Sequence, residues 1–295
     1  MSGGILVTGA SGLLGHTFCR RLAGRERVIG VTLSHTLDIP GVTAATVDLT
    51  DRGATDELIK RARPSLVLHC AALTDVDQCE RDPKLAERLN VDVTANVASA
   101  AYAVGATLVH ISTDQLWNGS KQFVNESAPL CPLNVYGRSK AKAEAMALEA
   151  HPGSLIVRTN FFGPGRPWRK SFSDWILGEL DAGRNPPMFA DVFFTPIAIG
   201  TFAQAVLDLV TLKVSGIVHV AGTQRLSKYA FGCAIAQAFG YPESRITKSG
   251  LADANLPASR PLDMSLDVSH AEKLLGRRLS NIEVSIAELR QTSLV

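Results

Sequence analysis

Gly9-Ala10-Ser11-Gly12-Leu13-Leu14-Gly15 follows the apolar run Ile5-Leu6-Val7 after one residue, Thr8, and leads into Phe18 and Leu22. An apolar run that ends in glycines and resumes with helical spacing reads as strand, tight turn and amphipathic helix, a βα unit. Glycine supplies positive φ at such a turn and removes the Cβ that would keep a phosphate away. The free N–H groups of the helix start attract the phosphate's negative charge. The spacing is GxxGxxG and not GxGxxG, so by itself it also fits a glycine-rich connection.

The alternation continues downstream. Apolar runs at 28–33, 66–70, 107–111 and 155–157 are separated by helix-like segments at 54–63, 86–102 and 139–149. That rhythm predicts an α/β fold with a doubly wound, Rossmann-like parallel sheet. Ligands of such sheets lie outside the carboxyl ends of the strands, which makes Ala71, Ala72, Ser112, Thr113 and Asp114 the first candidates for chemistry. From Gly163 the pattern loosens. Gly163-Pro164-Gly165-Arg166-Pro167 and Asn185-Pro186-Pro187 flank a helix-like stretch at 171–182, and further helices are expected at 201–212, 228–239, 269–275 and 282–290. Residues 1–162 are therefore expected to form the dinucleotide-binding domain, with 190–222 returning to it. Residues 163–295 are expected to form mainly a smaller α/β substrate-binding region, and 250–261 an extended loop.

Composition permits this architecture and excludes others. The 295 residues are 46% hydrophobic and 20% charged, enough apolar content for a large core. A net charge of +2 with scattered basic residues gives no nucleic-acid or membrane surface. No apolar stretch approaches the roughly 18–20 residues of a membrane span, and no signal peptide is recognisable, so a soluble cytoplasmic protein is expected. Cys19, Cys70, Cys79, Cys131 and Cys233 are odd in number and contain no CxxC pair, which disfavours a disulfide framework or a zinc site. No metal site is expected.

Tyr136 and Lys140 stand four apart in Tyr136-Gly137-Arg138-Ser139-Lys140, on one face of a helix. A neighbouring ammonium favours the phenolate, so the lysine is expected to draw the tyrosine pKa toward neutrality. The spacing alone also fits a surface pair of little consequence.

Taken together, the glycine turn, Ser112-Thr113-Asp114 after a strand, and Tyr136 with Lys140 resemble the extended short-chain dehydrogenase/reductase superfamily along nearly the whole chain. Within it the chain is most similar to the dTDP-4-dehydrorhamnose reductase family. That similarity rests on the blocks beginning at His69, Ser112 and Pro132, together with Arg158-Thr159 and Ala258-Ser259-Arg260-Pro261. The resemblance implies that Thr113 bonds the substrate carbonyl, Tyr136 delivers a proton to its oxygen, and Lys140 holds the nicotinamide ribose. Donors placed where charge builds on that oxygen bind the transition state better than the ground state.

The resemblance also implies a cofactor site at Gly9, Ser11, Gly12, Leu13, Leu14 and Gly15, with Asp48 and Leu49 at the adenine and Ala71, Ala72 and Thr74 along the nicotinamide side. Asp48 also fits a helix N-cap in Asp48-Leu49-Thr50-Asp51. Substrate contacts are implied at Thr74, Val76, Asp114, Gln115 and Phe161. Trp168, Phe172, Trp175 and Phe189 fit either a nucleoside wall or the core. The second strand runs into Leu33-Ser34-His35 with no acid before Asp38, so nothing repels a 2′-phosphate, and Ser34 or His35 can donate to it. NADP(H) is favoured, and NAD(H) remains usable.

The expected substrate is a nucleotide-linked 4-ketosugar, and a homo-oligomer is compatible with the chain. Gln115 stands where related dehydratases carry a glutamate and cannot act as a base, which favours simple ketone reduction. The methionine adenosyltransferase regulatory subunit has a similar layout, which keeps a cofactor-binding regulatory protein as the alternative.

Overall fold

The computed structural model describes residues 3–293. In chain order, β1 (Ile5–Thr8), α1 (Leu13–Leu22), β2 (Val28–Thr32), β3 (Val42–Thr46), α2 (Arg52–Ala62) and β4 (Leu66–His69) form the first half of the doubly wound unit. Then come α3 (Val76–Arg81), α4 (Pro83–Ala86), α5 (Val93–Ala103), β5 (Thr107–Ile111), α6 (Val135–Ala150) and β6 (Leu155–Arg158). A π-helical turn at Glu87–Asp92 joins α4 to α5.

The remaining elements are β7 (Phe161–Phe162), α7 (Phe172–Asp181), β8 (Pro187–Phe189), β9 (Phe193–Phe194), β10 (Ile197–Ala198) and α8 (Ile199–Thr211). They continue through β11 (Gly216–His219), β12 (Leu226–Ser227), α9 (Lys228–Ala238), β13 (Thr247–Ser249), α10 (Ser269–Leu275) and α11 (Ile282–Ser293).

The expected parallel sheet is present, with seven strands in the order β11-β6-β5-β4-β1-β2-β3. Its central strands are buried on both faces and read as unbroken apolar runs for that reason. On one face Leu14, Phe18 and Leu22 of α1 pack with Phe202 and Leu209 of α8, and on the other Leu58, Ile59, Val97 and Ala101 close the core. Strand β3 was not expected. Its Thr43, Ala44 and Thr46 are exposed at the sheet edge, so it lacks the apolar signal of its neighbours.

After β6 the chain alternates between two regions. Strand β11 pairs in register with β6, and α8 joins the core beneath the sheet. Before and after these returns, α7, α9 and α11 bury Ile176, Phe231, Ile235, Ile286 and Leu289 in a second core. The pairs β10-β7, β12-β9 and β13-β8 edge that second region. The stretch expected as a loop at 250–261 is irregular except for one 3-10 turn at Leu251–Asp253.

Two local features place the chemistry. Helix α6 begins at Val135, a turn earlier than its apolar pattern indicated, because the Asn134 side chain accepts the Gly137 N–H at 2.8 Å. Tyr136 and Lys140 thereby become successive turns of one buried helix face. Deeper in the same helix, Glu144 accepts from Arg158 of β6 at 2.7 Å and 3.0 Å, an ion pair sealed from solvent.

Candidate active site

Because β1 is flanked by β2 and β4, the connections leaving it diverge, and a crevice opens at their carboxyl ends. A cleft of about 740 Å³ lies there. Gly9, Ser11, Gly12, Leu13, Leu14 and Gly15 form one end of it. His35, Ala71, Ala72 and Thr74 line its middle, and Thr113, Asp114, Gln115, Tyr136, Lys140 and Phe161 its far end. Asp48 and Leu49 line an adjoining pocket of about 140 Å³, shared with Gly9, Ala71 and Ala72. Val76 is placed differently from the substrate contact expected of it: it starts α3 and packs in a small cluster with Cys79, Ala86 and Tyr136. The N-cap that Asp48 also fitted belongs to Asp51, which accepts the Ala54 N–H. Asp48 instead closes a turn by accepting from the backbone and hydroxyl of Thr50.

The glycine end fits a dinucleotide diphosphate. Gly9 has φ of +62°, and a Cβ there would sit 2.8 Å from the Ala71 nitrogen. A Cβ on Gly15 would lie 2.2 Å from the Gly9 carbonyl oxygen, so the first turn of α1 can approach the strand only as glycine. Gly12 caps α1 without a side-chain bond, and the first turn carries no acid. Its N–H groups and the positive end of the helix dipole are left for an anion. Thr8 fixes the floor, accepting the N–H groups of Cys70 and Ala71 and bonding His69 Nδ1 at 2.7 Å.

A strap crosses the cleft from the second region. Arg166 and Arg169 exchange backbone bonds of 2.9 Å and 2.8 Å, a tight hairpin with Trp168 at its tip. Trp168 stacks on His35 with centroids 4.5 Å apart, and Arg169 donates to the Thr74 hydroxyl. Of the four aromatic residues singled out, Trp168 and Phe172 line the cleft. Trp175 stacks outside Phe172, while Phe189 packs against the second core.

At the far end Tyr136 is 7% exposed and Lys140 2%. Burial pushes the Tyr136 phenol up to about 12, against the opposing pull of the Thr113 hydroxyl and the Arg169 charge. The expected lowering of that phenol by Lys140 is not what this arrangement produces. The ammonium is turned into β5, donating to the Ile111 carbonyl at 2.8 Å and to His110 Nε2 at 3.1 Å. Burial brings Lys140 down to about 8, with Glu144 opposing. His110 stays neutral, since burial and Lys140 both push its pKa well below the usual value.

Asp114 is raised to about 6, chiefly by burial, although Asn160, Lys228 and Thr113 all favour its charged form. It accepts from Asn160 Nδ2 and, at 3.3 Å, from Thr113 Oγ1. Thr113 in turn accepts the Gln115 N–H, and Asn134 Nδ2 holds the Gln115 side-chain oxygen at 3.1 Å.

Several supporting residues escaped the reading of the chain. Asn90, on the π-helical turn, accepts the Leu73 N–H and donates to Ser139, locking α6 to the loop after β4. Asn160 stands just beyond β6, where the rule of strand carboxyl ends would have found it. His110 lies inside a strand and Lys228 starts a distant helix, so neither carries a local signal.

A family model described as the RmlD substrate binding domain matches residues 3–294. The chain belongs to this family. The "Probable low-salt glycan biosynthesis reductase Agl14" of Haloferax volcanii is 34% identical over 289 residues, covering 96% of each chain. The methionine adenosyltransferase 2 subunit beta of Pongo abelii is 30% identical over 286 residues, 93% of this chain and 83% of that one. Among solved structures, dTDP-4-dehydrorhamnose reductase of Bacillus anthracis in complex with NADP superposes with a TM-score of 0.86 at 25% identity, covering 98% of each chain. The seven-stranded sheet is thus the RmlD-type Rossmann-like fold, and among the described residues no helix is long and apolar enough to cross a membrane.

Proposed function

We propose that this RmlD-family chain is an NADP(H)-dependent reductase of the 4-keto group of a nucleotide-linked deoxysugar. The observation that carries the reading is the meeting of Thr113, Tyr136 and Lys140 in the same cleft as the glycine cradle. When bound, the dinucleotide supplies the hydride. The chain's own residues do the rest: Thr113 and Tyr136 donate to the ketone oxygen, whose charge grows as its carbon is reduced. A phenol pushed up to about 12 stays protonated at neutral pH and serves as the acid. Lys140, on α6 and braced by the Ile111 carbonyl and His110 of β5, would hold the nicotinamide ribose. The strap covers the middle of the cleft, where Trp168 stacks on His35, and neither Ser34 nor His35 carries a negative charge that would repel a 2′-phosphate. The NADP complex of the Bacillus anthracis relative supports the same cofactor preference, with NAD(H) as a weaker substitute.

The reading is tested by following NADPH oxidation by absorbance with a panel of 4-keto nucleotide sugars. Tight NADPH binding with no turnover and a co-purifying partner would instead favour the regulatory reading that the methionine adenosyltransferase relative suggests. The pH profile of kcat/KM has a defined sign. The Asp114 carboxylate forms as pH rises through about 6, and the Lys140 ammonium is lost as pH passes about 8. Activity is expected to rise to a plateau between those values and fall on either side. A profile flat to pH 9 would remove the cationic form of Lys140 from the mechanism.

A further inference from the structure

A line of buried polar side chains runs beneath the cleft from the glycine cradle to the helix that carries Tyr136. Thr8, His69, Asn90, Thr94 and Ser139 are each at most 4% exposed. They stand on β1, β4, the π-helical turn, α5 and α6. The direction of every bond between them is fixed, because the line starts at groups that can only donate. The N–H groups of Cys70 and Ala71, residues that line the cleft, both donate to Thr8 Oγ1 at 3.1 Å and fill its two lone pairs. The Thr8 hydroxyl proton is left for His69 Nδ1, at 2.7 Å. An Nδ1 that accepts puts the imidazole proton on Nε2, which donates to Thr94 Oγ1 at 3.1 Å. Thr94 donates in turn to the Asn90 carbonyl at 2.6 Å. The Asn90 amide is oriented by the same logic: its Oδ1 accepts the Leu73 N–H at 2.8 Å, so its Nδ2 donates to the Leu73 carbonyl at 3.1 Å and to Ser139 Oγ at 2.9 Å. Ser139 closes the line by donating to the Tyr136 carbonyl at 2.8 Å.

The imidazole is the link that allows no other arrangement. Turning its proton onto Nδ1 would aim three donors at Thr8 Oγ1 and strand a buried hydroxyl proton. Adding a second proton breaks the same bond, and burial with the Lys140 charge pushes His69 down to about 3, so the ring stays neutral. We propose that His69 is a positioning residue that registers the Tyr136 helix on the floor of the cofactor cradle, although it touches neither cofactor nor substrate. The role of Tyr136 comes from the reductase reading, on which this rests. A buried polar line is stable only when every member is satisfied, so the two ends keep one relative placement while the middle holds. The π-helical turn, a feature found mostly at functional sites, supplies the Asn90 side chain that carries the line across to α6.

The test reads NADP⁺ affinity by titration calorimetry, in variants shown by urea unfolding to be folded. Ser139→Ala removes the last link, at the Tyr136 end of the line. It is expected to weaken NADP⁺ binding by roughly 2- to 10-fold, the worth of a neutral hydrogen bond. His69→Leu cuts the line in the middle. In that background Ser139→Ala should cost nothing further, whereas independent structural contributions would multiply. His69→Gln, whose amide offers both an acceptor and a donor, should restore the dependence on Ser139. If His69→Leu does not fold, Thr94→Val cuts the next link while keeping the side-chain shape, and the same comparison is made there. Wild-type NADP⁺ affinity in Ser139→Ala, or the same loss in both backgrounds, overturns the proposal. Losses that fail to multiply, in a protein that reduces no 4-keto nucleotide sugar, would keep the positioning role and discard the reductase. A wild type that binds no NADP⁺ discards the cradle and the proposal together.

Discussion

Tyr136→Phe is expected to lower kcat by roughly 100- to 10,000-fold, the range for loss of a positioned general acid. The ring stays in its packed place against Cys79 and Ala86 while the hydroxyl that reaches the ketone oxygen disappears. The phenol is pushed up by burial, opposed most by its hydrogen bond with the Thr113 hydroxyl, so the variant loses that one bond as well. NADPH affinity, measured by fluorescence titration, should stay near the wild-type value, because the cradle at Gly9–Gly15 is untouched. The remaining rate would come from Thr113 and from holding ketone and cofactor together. Undiminished turnover in the phenylalanine variant removes Tyr136 from the acid role. Matched loss of activity and of cofactor binding would instead point to a collapsed cleft.

Glu144→Ala should destabilise the fold by about 3–5 kcal/mol, the cost of leaving one member of a buried ion pair without its partner. Arg158 is 2% exposed and gives Glu144 three of its hydrogen bonds. Its remaining surroundings, the Glu126 carbonyl, His219 and the Trp117 ring, supply no negative charge to replace the carboxylate. Urea unfolding monitored by circular dichroism measures the loss. Replacing both partners with apolar residues of similar volume, Glu144→Leu with Arg158→Met, should recover much of it. The single change also reaches the site, since Glu144 holds the Lys140 pKa up. Its loss should move the alkaline limb of the pH profile lower. A stable Glu144→Ala protein would mean that solvent enters this pair.

The legible part of the fold was its repeating part. The runs ending at Thr8, His69 and Ile111 are buried on both faces, so apolar content alone marked them. Edge strand β3 has no such requirement and left no mark. Helix α6 was placed late because its first turn depends on the Asn134 cap and on buried polar side chains, which break the apolar pattern. The same limit applied to charges. Spacing put Lys140 beside Tyr136 on a helix face, but the direction of the ammonium was decided by His110 and the Ile111 carbonyl on another strand. Burial then outweighed the attraction expected between the pair and moved the phenol the opposite way.

Residue order was therefore sufficient for the βα units, the glycine turn and the pairing of Tyr136 with Lys140, since strand and helix periods and turn chemistry act over a few positions. Folding alone brought Asn160 and Arg169 to the same cleft and set the state of each titratable group within it. Solvent exclusion and electrostatics depend on distance through space, and two residues far apart along the chain carry no local sign that they will meet.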